Sequence, residues 1–257
     1  MSDLIEVSGK TVRFSFHPGQ LRAWESTKRI VAVCAGTQGG KTAFCPIWLW
    51  KEMRDRGPGS YGFISPTFSL LKKKALPEFL NLFRRLFRFG EYNATDKIFT
   101  FSPDGARRLF GYVPEIETQV FFGYAENPDS LESSTLKAVV CDEAGQKQFK
   151  GDSYFALRRR LSIHQGRMLI ATTPYSNAGW LRTEIHDKWA AGDDTIDFIR
   201  FASTMNPAFP LAEYEWAHKN LPRWRAAMMY DGEFQRPAGL IYDCFDAPVH
   251  KIQRFPI

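Results

Sequence analysis

The chain reads as an α/β protein, a mostly parallel central sheet flanked by helices. Three observations predict this. Ile30–Ala35, Lys137–Cys141 and Arg167–Thr172 are short runs apolar on both faces, the pattern of strands covered on both sides. Helix-length segments separate them, as in a layered α/β sheet. A glycine-rich loop joins the first run directly to a helical segment, the connection of a strand–loop–helix unit.

The elements follow in order. Residues 1–17 form a strand or arm, with alternation in Thr11-Val12-Arg13-Phe14-Ser15-Phe16. Pro18–Lys28 is a helix, with Pro18 suited to its first turn. The strand Ile30–Ala35, its loop, and a helix over Thr42–Arg56 come next. Tyr61–Ser65 is a second buried strand closed by Pro66, and Ser69–Phe87 is an amphipathic helix interrupted at Pro77. Lys97–Phe101, Arg107–Val113 and Gln119–Tyr124 read as strands between Gly, Pro and Asp turns. Lys137–Cys141 is a strand, Asp152–Arg160 a helix and Arg167–Thr172 a strand. Leu211–Leu221 and Arg223–Tyr230 are two short helices that read as a small helical lid. The expected organisation is a core over residues 1–200, a lid over 201–235 and a linker over 236–257 toward a further domain.

Bulk properties narrow the class. The 257 residues suit one large domain, or a domain and a small subdomain. The net charge of +6 and 44% hydrophobic content describe a globular chain mildly disposed toward anions. The four cysteines Cys34, Cys45, Cys141 and Cys244 form no CxxC pair, which fits a reducing setting. No run approaches the roughly 20 apolar residues that span a bilayer, and no signal-peptide core opens the chain, so no membrane partner is expected.

The chemistry concentrates in three segments. Ala35-Gly36-Thr37-Gln38-Gly39-Gly40-Lys41-Thr42 has the Walker A pattern, with Ala in place of the usual first Gly. Glycines let backbone N–H groups converge on phosphate oxygens, and the helix N-terminus adds positive charge. Lys41 would neutralise the outer phosphates and Thr42 would offer its hydroxyl to Mg²⁺. Val139-Val140-Cys141-Asp142-Glu143-Ala144 is an apolar strand ending in two acids, a Walker B pattern. Asp142 would hold the metal through water, and Glu143 would take a proton from the attacking water. Together these define a P-loop NTPase; by analogy, the adjacent glutamate places it in the ASCE type, whose members do mechanical work on polymers. In Met168–Pro174, Thr172 or Thr173 would touch the γ-phosphate or the lytic water and report its loss. Upstream, the amide of Gln20 has the donor and acceptor needed for the N6/N7 edge of adenine, which makes ATP the expected nucleotide. Trp24, one turn later, reads as core.

The ensemble resembles the ATPase domain of the large terminase subunit of tailed bacteriophages. The resemblance rests on Gly36–Thr42, Val139–Ala144, Thr172-Thr173-Pro174 with Gly179-Trp180, and the segment Asn206–Phe234. It implies ATP-driven translocation of double-stranded DNA into a procapsid through a portal ring. It further implies a small terminase subunit as partner, self-association into a ring, and action in the host-cell cytoplasm. Large terminases also carry a C-terminal nuclease. Gly239–Phe245 resembles the run leading into it, and no nuclease is expected within this chain. Two departures stand out. Relatives often place an Arg in the phosphate loop, where Thr37 and Gln38 stand here, and some carry an Arg-Gly pair where Glu132 and Ser133 stand. Arg158-Arg159-Arg160 is the substitute candidate for the arginine finger, in cis or from a ring neighbour. Lys72-Lys73-Lys74, Arg84-Arg85 and Arg107-Arg108 are the candidates for DNA phosphates. A helicase-like or repair ATPase, and an assembly module that binds ATP with little turnover, are the competing readings.

Overall fold

Alternating burial along the strands explains the architecture. In β3 (Ile30–Ala35), Val31, Val33 and Ala35 face one hydrophobic cluster while Ile30, Ala32 and Cys34 face a second. The same alternation runs through β8 (Ala138–Asp142) and β9 (Arg167–Thr172), so the sheet carries a core on each face. One core is dominated by aromatic rings, among them Phe63, Phe79, Phe99 and Phe122. The structure, a computed structural model, describes residues 4–8, 11–131 and 135–236. The readings placed on Glu132-Ser133, Gly239–Phe245, Cys244 and most of the linker lie outside the described residues.

The remaining strands are β1 (Ile5–Ser8), β2 (Thr11–Phe14), β4 (Ser60–Ser65), β5 (Gly90–Asn93), β6 (Ile98–Phe101), β7 (Gln119–Tyr124) and β10 (Ile196–Phe201). Strands β1 and β2 form a separate antiparallel hairpin. The others make an eight-stranded sheet in the order β10-β3-β9-β8-β4-β7-β6-β5. Strands β10 through β7 are parallel along this order, and β6 and β5 are antiparallel at one side. Helices α1 (Pro18–Glu25), α2 (Lys41–Arg56), α3 (residues 68–86), α4 (Pro103–Phe110), α5 (Gly151–Arg160) and α6 (residues 181–190) connect or flank the strands. Helices α7 (Leu211–Asn220) and α8 (Arg223–Tyr230) follow β10.

Four elements differ from the sequence reading. The stretch expected as a strand over Arg107–Val113 is mostly helix α4. The Ser102 hydroxyl caps it by accepting from Gly105 N–H at 3.0 Å, Pro103 opens its first turn, and Gly111 closes it at φ +86°. Pro77 does not break α3. The turn before it widens, with Leu76 N–H donating to Leu71 O five residues back, and so accommodates the ring. Helix α6 and strand β10 were not anticipated, although Ile196, Phe198 and Phe201 of β10 are buried beside β3. The expected boundary between core and lid at 200/201 falls inside β10. Trp24 packs on Phe14, Phe16 and Trp50, as expected for a structural ring.

Candidate nucleotide-binding site

Parallel register brings the three chemical segments to one edge of the sheet. Strand β9 lies between β3 and β8, pairing Cys34 with Thr172 and Ala171 with Asp142. The phosphate loop, the threonine pair and the acid pair therefore all leave the sheet from adjacent strand ends. With strands about 4.8 Å apart, β3 and β8 are about 10 Å apart. Tyr61–Ser65, which separates the two motif strands in sequence, lies instead on the far side of β8.

The loop is held in a nest-like shape by left-handed residues at Gln38 (φ +54°) and Gly40 (φ +81°). Lys41 is buried, and its ammonium donates to Ala35 O at 3.0 Å, Gly36 O at 2.6 Å and Thr173 Oγ1 at 3.1 Å. Burial pulls its pKa down, and the Glu143 and Asp142 carboxylates oppose that shift. The Thr42 hydroxyl donates to Asp142 Oδ1 at 3.4 Å, so the two expected metal holders meet. Asp142 is pushed up to about 7 by burial first and by the Glu143 charge second. A buried carboxylate lacking a full counter-charge, beside a hydroxyl and a phosphate nest, fits a hard divalent cation. Among the described residues no cluster of three His, Cys, Asp or Glu side chains could hold a metal alone. Thr42 and Asp142 could contribute one or two protein oxygens to an ion held jointly with substrate oxygens.

Glu143 adopts φ +54°, a left-handed conformation unusual for a residue with a Cβ. Its Oε2 accepts from the Tyr175 hydroxyl at 2.9 Å and its Oε1 lies 3.6 Å from Lys74 Nζ. Loop residues 37–43, Glu143, Thr173 and the Lys73/Lys74 face of α3 line one cavity of about 420 Å³. Thr173 thus reaches the site. The neighbouring Thr172 hydroxyl accepts from Gly145 N–H at 2.8 Å and donates to Thr173 O at 2.9 Å, bracing the turn after the acids.

Gln20 also sits at the loop, but its amide is already engaged. Nε2 donates to Gly40 O at 3.1 Å and Oε1 accepts from His17 N–H at 3.4 Å. These bonds tie Gln20 to the loop and use one donor and one acceptor of its amide, and Gln20 also lines a cavity with Phe16, His17, Gly40 and Ala43 beside the loop. The sequence reading overlooked His17. Its Nδ1 caps α1 by accepting from Gly19 and Gln20 N–H, and its Nε2 lies 3.1 Å from Gly39 O. Burial lowers its pKa and favours the neutral ring that these bonds require, while the Gly39 bond opposes that shift. A histidine directly before a proline at a helix start was the available signal.

The arginine run is not brought to the site. Helix α5 follows β8 and runs back along the sheet, so its end lies at the opposite edge. There Leu136 N–H donates to Arg160 O at 2.8 Å, just before β8 begins. Arg158 donates to Tyr154 Oη at 3.2 Å. A strand of five residues separates this end from Asp142, roughly 16 Å. An arginine finger in cis from Arg158, Arg159 or Arg160 is therefore not what this fold provides. Two of the DNA candidates approach one another: Arg84 and Arg85 line a cavity with Arg88 and Glu91, and Arg108 Nη1 donates to Phe87 O and Arg88 O at 3.3 Å each.

The segment after β10 closes on the loop. Thr37 N–H donates to Met229 O at 2.7 Å, Ser203 Oγ to Thr37 O at 2.6 Å and Asn206 Nδ2 to Gln38 O at 2.7 Å.

Fold and loop together give an α/β architecture consistent with the P-loop NTPase fold. No protein-family profile matches the chain, and no curated protein matches it in sequence. Solved structures do match its fold. The large terminase of the thermophilic bacteriophage D6E superposes with a TM-score of 0.73 at 16% identity, over 95% of this chain and 59% of that one. The same phage's large terminase in complex with ADP gives 0.69 at 17% identity, over 95% and 59%. The large terminase ATPase domain of Thermus phage P74-26 gives 0.63 at 20% identity, over 86% and 94%. The chain thus has the fold of phage large-terminase ATPase domains, and spans about three fifths of the full D6E protein.

Proposed function

We propose that this chain is the ATP-hydrolysing motor domain of a viral large terminase, driving double-stranded DNA into a procapsid. The observation that carries this reading is the single cavity shared by Lys41, Thr42 and Glu143, with Asp142 bonded to Thr42 at its wall. Residues 37–42 would bind the phosphates through main-chain N–H groups, and Lys41 would exchange carbonyl partners for phosphate oxygens. Thr42 and Asp142 would hold magnesium, which when bound neutralises phosphate charge. Glu143 would accept the proton of the attacking water. Thr173, bonded to the Lys41 ammonium, would sense loss of the γ-phosphate.

The likeness to terminase structures supports a DNA-packaging setting. In that setting the partners are duplex DNA, a portal ring, a small terminase subunit and further copies of this chain in a ring, in the host cytoplasm. Among the described residues no helix is long and apolar enough to cross a membrane. The arginine cluster formed by Arg84, Arg85, Arg88 and Arg108 is the surface we assign to DNA phosphates. An arginine finger would come from a neighbouring copy. The C-terminal segment 201–235 would act as the lid, given its three hydrogen bonds to the loop.

The test pairs two variants. Lys41→Ala should abolish ATP turnover and weaken nucleotide binding. Glu143→Gln should leave ATP bound and slow hydrolysis by about 100-fold or more. Turnover stimulated by portal-bearing procapsids supports the motor. Duplex unwinding would favour a helicase-like enzyme, and tight binding without turnover even in the assembled ring would favour an assembly module.

A further inference from the structure

The nucleotide cavity has one wall that no phosphate-loop motif supplies. It is a face of α3, carrying Lys73, Lys74, Pro77 and Glu78. Residues four apart on a helix share a face, so Lys73 with Pro77 and Lys74 with Glu78 form one wall. The turn bearing the lysines is the widened one, where Leu76 N–H bonds Leu71 O. Such turns recur at functional sites.

Charge makes this wall informative. A magnesium–triphosphate carries net negative charge into a cavity already lined by Glu143 and Glu78 and adjoining Asp142. Burial raises the Glu78 carboxyl, which favours its neutral form and reduces its opposition to an anion. Positions 37 and 38 of the loop offer Thr37 and Gln38, not a cation. Among the described residues, the cavity's side-chain cations are Lys41, Lys73 and Lys74. Lys41 is fixed at the loop's base by its three partners. Lys74 is different. Its side chain is half-exposed and its ammonium stands 3.6 Å from Glu143 Oε1, while Tyr175 holds Oε2. In this arrangement both oxygens of the proposed base are engaged.

We propose that Lys74 is a second phosphate-contacting cation, which leaves Glu143 for the terminal phosphate when a nucleoside triphosphate binds. The inference rests on the nucleotide-site reading above. The exchange places positive charge on the γ-phosphoryl oxygens and frees Glu143 Oε1 for water. In the hydrolytic step the water oxygen bonds to the γ-phosphorus, the bond to the β-bridging oxygen breaks, and its electron pair leaves with the diphosphate. The water proton passes to Glu143. Tyr175 keeps Oε2 oriented throughout, as a positioning residue.

The test compares binding of ADP and of ATPγS to the wild-type chain, Lys74→Ala and Lys74→Arg, alongside single-turnover hydrolysis of ATP. Lys74→Ala should lose about tenfold in ATPγS affinity while ADP affinity stays within about twofold, because ADP lacks the contacted group. Its single-turnover rate should fall about 100-fold. Lys74→Arg keeps the charge and should recover most of both. Equal losses for ADP and ATPγS overturn the proposal, as does unchanged ATPγS affinity with a slowed step, which would leave Lys74 only holding Glu143. If the wild-type chain binds neither nucleotide, the nucleotide-site reading itself fails and this inference falls with it.

Discussion

Gln20 shows how bonds that the sequence does not reveal can hold a residue in the place its position implies. With its amide bonded to Gly40 O and His17 N–H, it fixes the loop's backbone at the start of α2. Gln20→Ala should therefore weaken ATP and GTP binding by similar factors, measured by titration with each. A loss confined to ATP would instead support the adenine-reading role. Asp142 supports a second expectation. Its folded-state pKa of about 7 lies above the usual 3.8, so between those values the folded chain holds a proton that the unfolded chain has lost. Stability from this group therefore falls as pH rises through that window. Asp142→Asn should gain in melting temperature over wild type between pH 5 and pH 8 without magnesium, and should lose magnesium-dependent nucleotide stabilisation. A constant difference across pH would mean that the carboxylate is not buried as charge. Lys41, Thr42, Asp142, Glu143 and Thr173 could be located from sequence because strand-end motifs report their own position. His17, Lys74 and Tyr175 could not, because packing alone brings them to the loop and to Glu143.

The elements were legible in proportion to their periodicity. Strands β3, β8 and β9 are apolar on both faces and stand out without alignment. Helix α4 was misread because its amphipathic residues sit among turn residues, and the Ser102-Pro103 cap was the overlooked start signal. The sequence marks helix α5, and its direction follows only from the strands it joins. A helix joining two parallel strands runs antiparallel to them, which carries Arg158–Arg160 away from the nucleotide edge. The junction of the loop with the last helices supports an element-scale prediction. A Cβ on Gly36 would stand 2.1 Å from Tyr230 O and 2.6 Å from Ser203 N, both main-chain atoms. Gly36→Ala should cost about 1–3 kcal/mol in thermal or urea unfolding and reduce nucleotide affinity. A fully stable variant would mean that the C-terminal segment is free to move off the loop.

At the scale of the molecule, chemistry occupies the strand C-terminal edge and basic charge collects by the antiparallel strands. Arg84 and Arg85 on α3 line one cavity with Arg88, whose carbonyl accepts from Arg108 on α4. Helix α3 carries Arg84 and Arg85 of this cluster and also Lys73 and Lys74 of the cavity at the phosphate loop, which offers one element between the two. Replacing Arg84 and Arg85 by Ala should weaken duplex binding about equally across sequences. It should also reduce the slope of log affinity against log salt by about one per lost phosphate contact. A sequence-dependent loss, or no change in slope, would place the DNA elsewhere.

In the proposed mechanism the loop of Lys41 and the acids Asp142 and Glu143 hold one metal–nucleotide between them. The most direct measurement is a crystal structure of the chain with magnesium and a non-hydrolysable ATP analogue. The expected result has the outer phosphates on the main-chain N–H groups of residues 39–42 and on Lys41, with the metal between Thr42 and Asp142. A nucleotide bound in another cavity, or phosphates on the loop with the metal remote from Asp142, would contradict it.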